Sequence, residues 1–167
     1  KYPDSWLGHH SLGCVLGANN RPQEAITHFE TALELQPNHP SIRGYLGVVY
    51  AQVGRYDDAL RVYAEALAQN PNDAVIRTNL GFTYIHLGEY EKGIQEYEKA
   101  LQINPDYTPA LQNLTRIVLV RIETLIREGN GDAAREFADK MRSLAARLGA
   151  KELVDQIDAL ISQHTAP

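Results

Sequence analysis

Apolar residues recur at steps of three and four positions along most of the chain, which is the spacing of one face of an amphipathic helix. In residues 74–87 this apolar face is formed by Val75, Ile76, Leu80, Tyr84 and Leu87. In residues 90–103 it is formed by Tyr90, Ile94, Tyr97 and Leu101. The pattern therefore predicts an all-α chain built from successive amphipathic helices.

The hydrophobic pattern itself repeats every 34 residues. Five columns share this spacing: the prolines, the glycines, the alanines, the aromatic residues and the leucines. They hold Pro3, Pro37, Pro71 and Pro105; Gly13, Gly47 and Gly81; Ala32, Ala66 and Ala100; Phe29, Tyr63 and Tyr97; Leu12, Leu46 and Leu80. Such a register predicts tandem supersecondary units over residues 6–39, 40–73 and 74–107.

Each period contains two helices that are separated by a residue suited to the left-handed conformation. Gly54 and Gly88 occupy this place, and Asn20 does so in the first repeat. A proline followed by Asn or Asp closes each repeat, and Asp73 and Thr108 are candidate caps for the helices that follow.

Small residues within the helices predict close packing. A glycine in a helix costs about 1 kcal/mol relative to alanine, so Gly13, Gly47 and Gly81 predict close approach of the second helix of each pair. The alanine column predicts a second close contact, against the following repeat. The tyrosines are expected to fill the larger gaps between layers.

Residues 6–107 resemble three tandem tetratricopeptide repeats (TPRs). The family's Leu-Gly pattern followed by a large residue matches Leu12-Gly13 with Leu16, Leu46-Gly47 with Tyr50, and Leu80-Gly81 with Tyr84. Its second-helix alanine matches Ala25 and Ala59, whereas Gly93 departs from it and is expected to weaken its helix slightly. The resemblance implies a right-handed α-solenoid, or TPR superhelix, of antiparallel helix pairs whose first helices line a concave groove.

The C-terminal part departs from the regular period. The next glycine that ends a helix comes late, at Gly129, so a divergent and longer helix pair is predicted over residues 108–148. A helix over 151–163 is expected to cap the array, because a terminal repeat has no neighbour to cover its apolar face. The alternative is a homodimer contact through 108–128 or 151–163. The last residues, 163–167, are expected to be a loose chain end.

The first residues suggest that the chain continues upstream. Pro3 stands in register with the prolines that close repeats, so residues 1–4 fit the end of an earlier element; a coincidental proline is the alternative. We therefore expect residues 1–167 to form a single solenoid domain at the C-terminal part of a longer protein.

Charge and composition exclude some partners. The net charge is −5, and residues 108–167 carry eight basic and eight acidic residues, so the excess acidity lies in residues 1–107. Nucleic-acid binding needs a clustered basic face, which is not predicted. The longest aliphatic run, residues 117–120, is far shorter than the roughly 20 residues of a membrane span. The single cysteine, Cys14, together with the lack of a signal-peptide pattern, favours the cytoplasm, although the soluble domain of a membrane protein remains an alternative.

The sequence predicts no catalytic residues, no cofactor and no metal site. It contains no Gly-rich phosphate loop and no nucleophile elbow. No two of its six histidines have the i, i+4 spacing of a helical metal site. The carboxylates fall mainly at helix starts and on outer faces. We therefore expect a protein that is not itself an enzyme.

Partner-binding candidates are the first-helix positions beside the packing columns. They mix apolar groups with amides and imidazoles, and suit an extended peptide or helix. The candidates are His10, Tyr45, Val48, Gln52, Asn79, Phe82, Ile85, His86, Gln112, Asn113 and Arg116, with Cys14 and Leu119 beside them. Phe82 and Ile85 could instead belong partly to the core.

The resemblance also tests one class of partner. Co-chaperone members of the family hold a terminal carboxylate with basic residues on successive first helices, and the corresponding positions here carry no cation. The leading hypothesis is a scaffold that binds a protein segment in its groove. The alternatives are a C-terminal recognition domain of a larger enzyme, such as a glycosyltransferase, and a homodimerising structural domain.

Overall fold

The computed structural model describes residues 5–164, apart from the side chain of Pro40. Within this range every regular element is an α-helix, which confirms the predicted all-α class. The helices are α1 (Trp6–Ala18), α2 (Pro22–Leu35), α3 (Pro40–Gln52), α4 (Tyr56–Gln69), α5 (Ala74–His86), α6 (Tyr90–Ile103), α7 (Thr108–Arg127), α8 (Gly131–Arg147) and α9 (Lys151–His164). The expected tail of an earlier element at residues 1–4 lies outside the described residues, as do residues 165–167 of the predicted loose chain end. That prediction is wrong for residues 163 and 164, which belong to α9.

Five of the turns between helices share one backbone geometry. The turn residue has a positive φ in each: 58° at Asn20, 77° at Gly54, 78° at Gly88, 77° at Gly129 and 69° at Gly149. The next residue donates its N–H to the carbonyl five positions back, as Arg55 does to Tyr50 at 2.9 Å. This bond satisfies a carbonyl at the helix end, and glycine adopts the required φ without a Cβ clash. The predicted left-handed turns are therefore confirmed.

The two predicted helix caps have different outcomes. The Asp73 carboxylate accepts a hydrogen bond from the N–H of Ile76 at 3.0 Å, as a capping side chain should. The prediction for Thr108 is wrong. Thr108 already lies inside α7, and the capping position falls on Tyr107, which makes no side-chain cap. The Thr108 hydroxyl instead donates to the carbonyl of Asp106 at 3.4 Å.

The chain divides into two compact units, one reaching to Glu96 and the other beginning at Tyr97, with the division inside α6. In the first unit α1 packs on α2 and α3 packs on α4. The second helix of each of these pairs contacts the next first helix, α2 against α3 and α4 against α5. The core of this unit therefore runs between successive helix pairs.

Glycines in the first helices make room for aromatic rings of the second helices. A Cβ at Gly13 would lie 2.8 Å from the ring of Phe29, and a Cβ at Gly47 would overlap the ring of Tyr63. Both rings are buried. The predicted close approach is confirmed at these two glycines. Ala32 and Ala66 have no exposed surface, which fits their predicted place between repeats.

Tyr50 links two successive repeats. Its hydroxyl on α3 donates to Glu30 on α2 at 2.6 Å, and the Arg55 guanidinium lies 4.4 Å from the centre of its ring. Burial, followed by the hydrogen bond to Glu30, raises the pKa of Tyr50 to about 12. Burial alone raises the pKa of Tyr63. Both hydroxyls therefore remain neutral well above the pH at which an unfolded tyrosine ionises.

In the second unit α7 packs against α8, and α9 contacts both of them. The buried stripes are Leu114, Val118, Ile122 and Leu125 of α7, Ala138, Met141 and Ala145 of α8, and Leu153 and Ile157 of α9. Arg142 on α8 joins Asp158 on α9 at 2.6 Å. Because α9 lies on the two preceding helices, it removes their apolar stripes from water.

The Ala66→Leu substitution is expected to lower the free energy of unfolding by about 1–3 kcal/mol, because a fully buried alanine leaves no room for three more carbons. Ala68→Leu, at an exposed position of the same helix, is the matched control and should change the stability by less than about 0.5 kcal/mol. Urea unfolding of both variants checks this. Equal stability of Ala66→Leu and the wild type would contradict this packing.

The stability should fall as the pH rises above about 10, where an unfolded tyrosine ionises. Between this value and the raised native pKa the unfolded chain has lost protons that the folded chain retains, so deprotonation favours unfolding. Tyr50→Phe is expected to lower the free energy of unfolding by about 0.5–1.5 kcal/mol near neutral pH, because the hydrogen bond to Glu30 is lost. The stability of this variant should also fall less steeply than that of the wild type in the alkaline range. Urea unfolding against pH measures both effects; identical alkaline slopes would contradict the role of Tyr50.

Candidate functional site

The first helices of the first unit lie next to one another, α1 against α3 and α3 against α5. A cleft of about 260 Å³ opens between α3 and the start of α5, and we call it the α3–α5 cleft. Its lining residues are Ser41, Gly44, Tyr45, Val48, Asp73, Val75, Ile76 and Asn79. The structure thus brings together three of the predicted partner-binding residues, namely Tyr45, Val48 and Asn79.

The α3–α5 cleft has apolar walls and a free amide. Tyr45 and Val75 remain 49% and 50% exposed, which leaves their apolar surfaces available to a partner. Asn79 is half-buried, and no described residue bonds its side-chain amide, although its backbone carbonyl accepts a bond from the Thr83 hydroxyl. A carboxamide offers both donors and an acceptor, so Asn79 can pair with a peptide group.

Tyr45 is held from behind by an aromatic cluster of Trp6, His10, Phe29 and His39. The Tyr45 ring stacks on buried Phe29 with 5.9 Å between centroids, and His10 meets it edge-on at 5.3 Å. The ring centroids of Trp6 and His39, the other two members of the cluster, lie 4.7 Å apart. Burial, and then the charge of His39, lower the pKa of His10. His10 therefore serves as a neutral, half-buried support for Tyr45.

The end of α5 carries a second aromatic contact. The ring centroids of Phe82 and His86 lie 4.3 Å apart, and the His86 ring stacks on that of Tyr56 of α4 with 5.8 Å between centroids. Gln52 is exposed at the end of α3. None of these three predicted residues lines the α3–α5 cleft.

Ile85 has a packing role within its helix pair. A Cβ placed on Gly93 would lie 2.5 Å from Cδ1 of Ile85 and 2.9 Å from the carbonyl oxygen of Gly81. The same two positions hold Ala51 and Ala59 one repeat earlier. The absence of a side chain at Gly93 therefore leaves room for the larger Ile85, which explains the departure from the alanine column.

The remaining predicted residues belong to the second unit. Gln112 and Arg116 line a cleft of about 670 Å³ between α7 and the start of α9, which we call the α7–α9 cleft. The other lining residues are Thr108, Leu111, Thr115, Gly149, Ala150, Lys151, Glu152, Leu153 and Gln156. Asn113 is half-buried beside the cleft, and its Oδ1 accepts a bond from Arg116 at 3.4 Å.

Charge differs between the two clefts. Among residues 5–96 every Lys and Arg forms an ion pair with a carboxylate; these cations are Arg21, Arg43, Arg55, Arg61, Arg77 and Lys92. The α3–α5 cleft is lined by one acidic residue, Asp73, and by no basic residue. It can therefore accept a neutral or basic ligand, whereas the α7–α9 cleft contains both Arg116 and Lys151.

The described residues contain no cluster of three or more His, Cys, Asp or Glu side chains that could hold a metal ion. Half-buried Cys14 lies 3.9 Å from Nε2 of His10, and burial raises the pKa of its thiol, which disfavours the reactive thiolate. Among helices in this part of the chain, none combines the length and apolar character needed to cross a bilayer.

Sequence reasoning missed several lining residues of the α3–α5 cleft. Asp73 was identified only as a cap, and Val75 and Ile76 only as members of an apolar stripe. A signal was present, because Ser41 and Val75 stand 34 residues apart, as do Tyr45 and Asn79. Two columns of first-helix positions therefore line the cleft, one holding Ser41 and Val75 and the other Tyr45 and Asn79. Trp6 and His39 carried no signal, since their contact arises only when α1 meets the turn before α3.

Two family models described as tetratricopeptide repeat match residues 10–74 and 50–117, which together span more than half of the chain. The chain belongs to the tetratricopeptide repeat family. A comparison with curated proteins finds no match.

Several solved TPR structures are similar to this chain. YrrB, described as a TPR protein with an unusual peptide-binding site, is 31% identical over 65% of this chain and 56% of its own, with a TM-score of 0.63. The matched part thus spans little more than half of YrrB. MamA from Desulfovibrio magneticus RS-1 is 26% identical over 87% of this chain and 78% of its own, with a TM-score of 0.65.

A third similar structure is the first TPR domain of Spaghetti (RPAP3), bound to an HSP90 peptide. It is 19% identical over 68% of this chain and 90% of its own, with a TM-score of 0.64, and supports the fold alone. The predicted class, an all-α TPR solenoid, is confirmed by these matches.

Gly93→Ala is expected to destabilise the TPR chain by about 1–3 kcal/mol, although helix propensity alone would favour alanine by about 1 kcal/mol. In an Ile85→Ala background the same change should cost at least about 1 kcal/mol less, because the Cδ1 overlap is gone while the contact with the Gly81 oxygen remains. Urea unfolding of the double-mutant cycle measures this coupling. Additive effects would show that Ile85 does not press on residue 93.

Proposed function

We propose that this TPR chain is a non-catalytic scaffold that binds a peptide or protein segment along its first helices, in a concave groove with the α3–α5 cleft as its central contact. The observation that carries the proposal is the free Asn79 amide between the exposed apolar surfaces of Tyr45 and Val75. Protein interfaces gain most of their affinity from such desolvated aromatic and apolar anchors.

The geometry favours an extended segment. Tyr45 and Asn79 occupy the same column in successive repeats, so a ligand that follows the first helices meets the tyrosine ring and then the amide. An apolar side chain of the ligand would pack between Tyr45 and Val75, while one of its peptide groups pairs with Asn79. The aromatic cluster keeps Tyr45 in place, which lowers the entropy lost on binding.

Charge narrows the class of ligand. Asp73 is the one carboxylate among the lining residues, which include no Lys, Arg or His, and its second carboxylate oxygen has no bond to a described residue. A ligand carboxylate would be repelled there, whereas a lysine or arginine beside the apolar anchor would be attracted. The proposed ligand is therefore a neutral or basic segment. The peptide-binding site named for YrrB, at 31% identity, supports peptide recognition in general.

The predicted residues contribute in different ways to this proposal. Tyr45, Val48 and Asn79 form the contact surface, and His10 supports Tyr45 from behind. Gln52, Phe82 and His86 extend the surface along α3 and α5, whereas Ile85 serves packing. Gln112, Asn113 and Arg116 belong to the second unit. The recognition domain of a larger enzyme and the homodimer stay predictions, and sedimentation at several concentrations tests the latter.

Asn79→Ala and Tyr45→Ala should each weaken binding of a peptide selected from a displayed random library by at least about tenfold, which corresponds to the loss of roughly 1.4 kcal/mol. Fluorescence anisotropy with the labelled peptide gives the affinities. Gln95→Ala is the control, since Gln95 is an exposed residue of α6 outside the cleft. Wild-type affinity in both cleft variants would remove the proposed site.

A further inference from the structure

We propose that the α7–α9 cleft is a second binding site, separate from the one above, and that it takes a carboxylate group of a peptide. The cleft lies entirely within the second unit, so this inference does not depend on the α3–α5 cleft. Its volume of about 670 Å³ falls in the range of about 300–1,000 Å³ that is usual for ligand pockets.

Neither cation of this cleft has a carboxylate partner, whereas three arginines of the same unit have one. Arg135, Arg142 and Arg147 each form an ion pair with an aspartate or a glutamate. Arg116 bonds only the neutral amide of Asn113, at a long 3.4 Å. The side-chain ammonium of Lys151 bonds no described residue, although its backbone N–H donates to the carbonyl of Gly149 at 3.0 Å. Both positive charges are therefore available to a ligand that enters the cleft.

The balance of charge sets the kind of anion. The third ionisable lining residue is Glu152, which is exposed and accepts a hydrogen bond from Nε2 of Gln156 at 3.5 Å. The lining residues thus carry a net charge of +1, from Arg116, Lys151 and Glu152. A single carboxylate neutralises this charge. A phosphate dianion would leave an excess of negative charge beside Glu152, and the net charge of −5 opposes a nucleic-acid backbone.

The uncharged lining residues suit a peptide. Half-buried Leu111 provides an apolar surface for a side chain of the ligand, above the buried side chains of Ala150 and Leu153. Thr115 and Gln112 add polar groups that can bond its peptide groups. The α9 helix begins directly after Ala150, whose side chain cannot cap it. The N–H of Lys151 is bonded to the carbonyl of Gly149, so the N–H groups of Glu152 and Leu153 are the ones that add to the attraction of the two cations.

The probes that test this proposal are three short peptides titrated into the ¹⁵N-labelled full chain. They are N-acetyl-Leu-Leu with a free carboxylate, the same peptide with a C-terminal amide, and N-acetyl-Leu-Asp-Leu-amide. The free carboxylate or the aspartate peptide should give saturable shifts at the amides of Thr115, Lys151 and Glu152, with the neutral peptide at least about tenfold weaker. The two acidic probes distinguish a chain terminus from an acidic side chain.

Arg116→Gln combined with Lys151→Gln should weaken the acidic peptide by at least about tenfold. The matched control is Arg127→Gln with Lys140→Gln, which removes the same charge at exposed positions outside the cleft. Both variants are compared by their amide spectra, and the charge-conserving pair Arg116→Lys with Lys151→Arg should retain binding. Equal binding of the neutral peptide, or unchanged affinity in the glutamine pair, would overturn the carboxylate site while leaving the α3–α5 proposal untouched.

Discussion

Contact between an aromatic ring of the second helix and a glycine of the first is the interaction on which the first unit depends. Phe29 over Gly13 and Tyr63 over Gly47 bring the two helix axes closer than any side chain at the glycine positions would allow. The rings are thereby removed from water, and this burial offsets the helix propensity that glycine loses. This contact joins the two helices within each of these pairs.

Pairs joined in this way leave the first helices next to one another with their outer sides free. The second helices pack against the next first helices, α2 on α3 and α4 on α5, so α3 and α5 need not cover each other completely. The α3–α5 cleft is the space that remains. Tyr45 stays half exposed there because Phe29 supports only one face of its ring. The α3–α5 cleft is thus a direct consequence of how the core is filled.

The third helix pair, α5 and α6, shows that packing limits the combined size of two facing side chains. Ile85 and Gly93 replace the two alanines of the preceding repeat, so a larger side chain at position 85 lies against a residue that has no side chain. A single sequence cannot reveal this exchange, because a glycine in an alanine column reads as a loss of helix propensity. Only the position of Ile85 shows that the glycine is required.

The sequence alone determined the helices, their 34-residue period, the left-handed turns and the family, because these depend on local periodicity and on backbone conformation. It also predicted that Tyr45, Val48 and Asn79 share one side of the first helices, and the three line one cleft. Tyr45 and Asn79 occupy the same column of successive repeats, and such residues lie side by side. The tertiary structure decided the contacts between residues that lie far apart in the sequence. It joined Trp6 and His39 to the support of Tyr45, assigned Ile85 to packing, and left Arg116 and Lys151 without carboxylates. Which side chains meet across helices depends on packing, and packing is settled only when the helices are in contact.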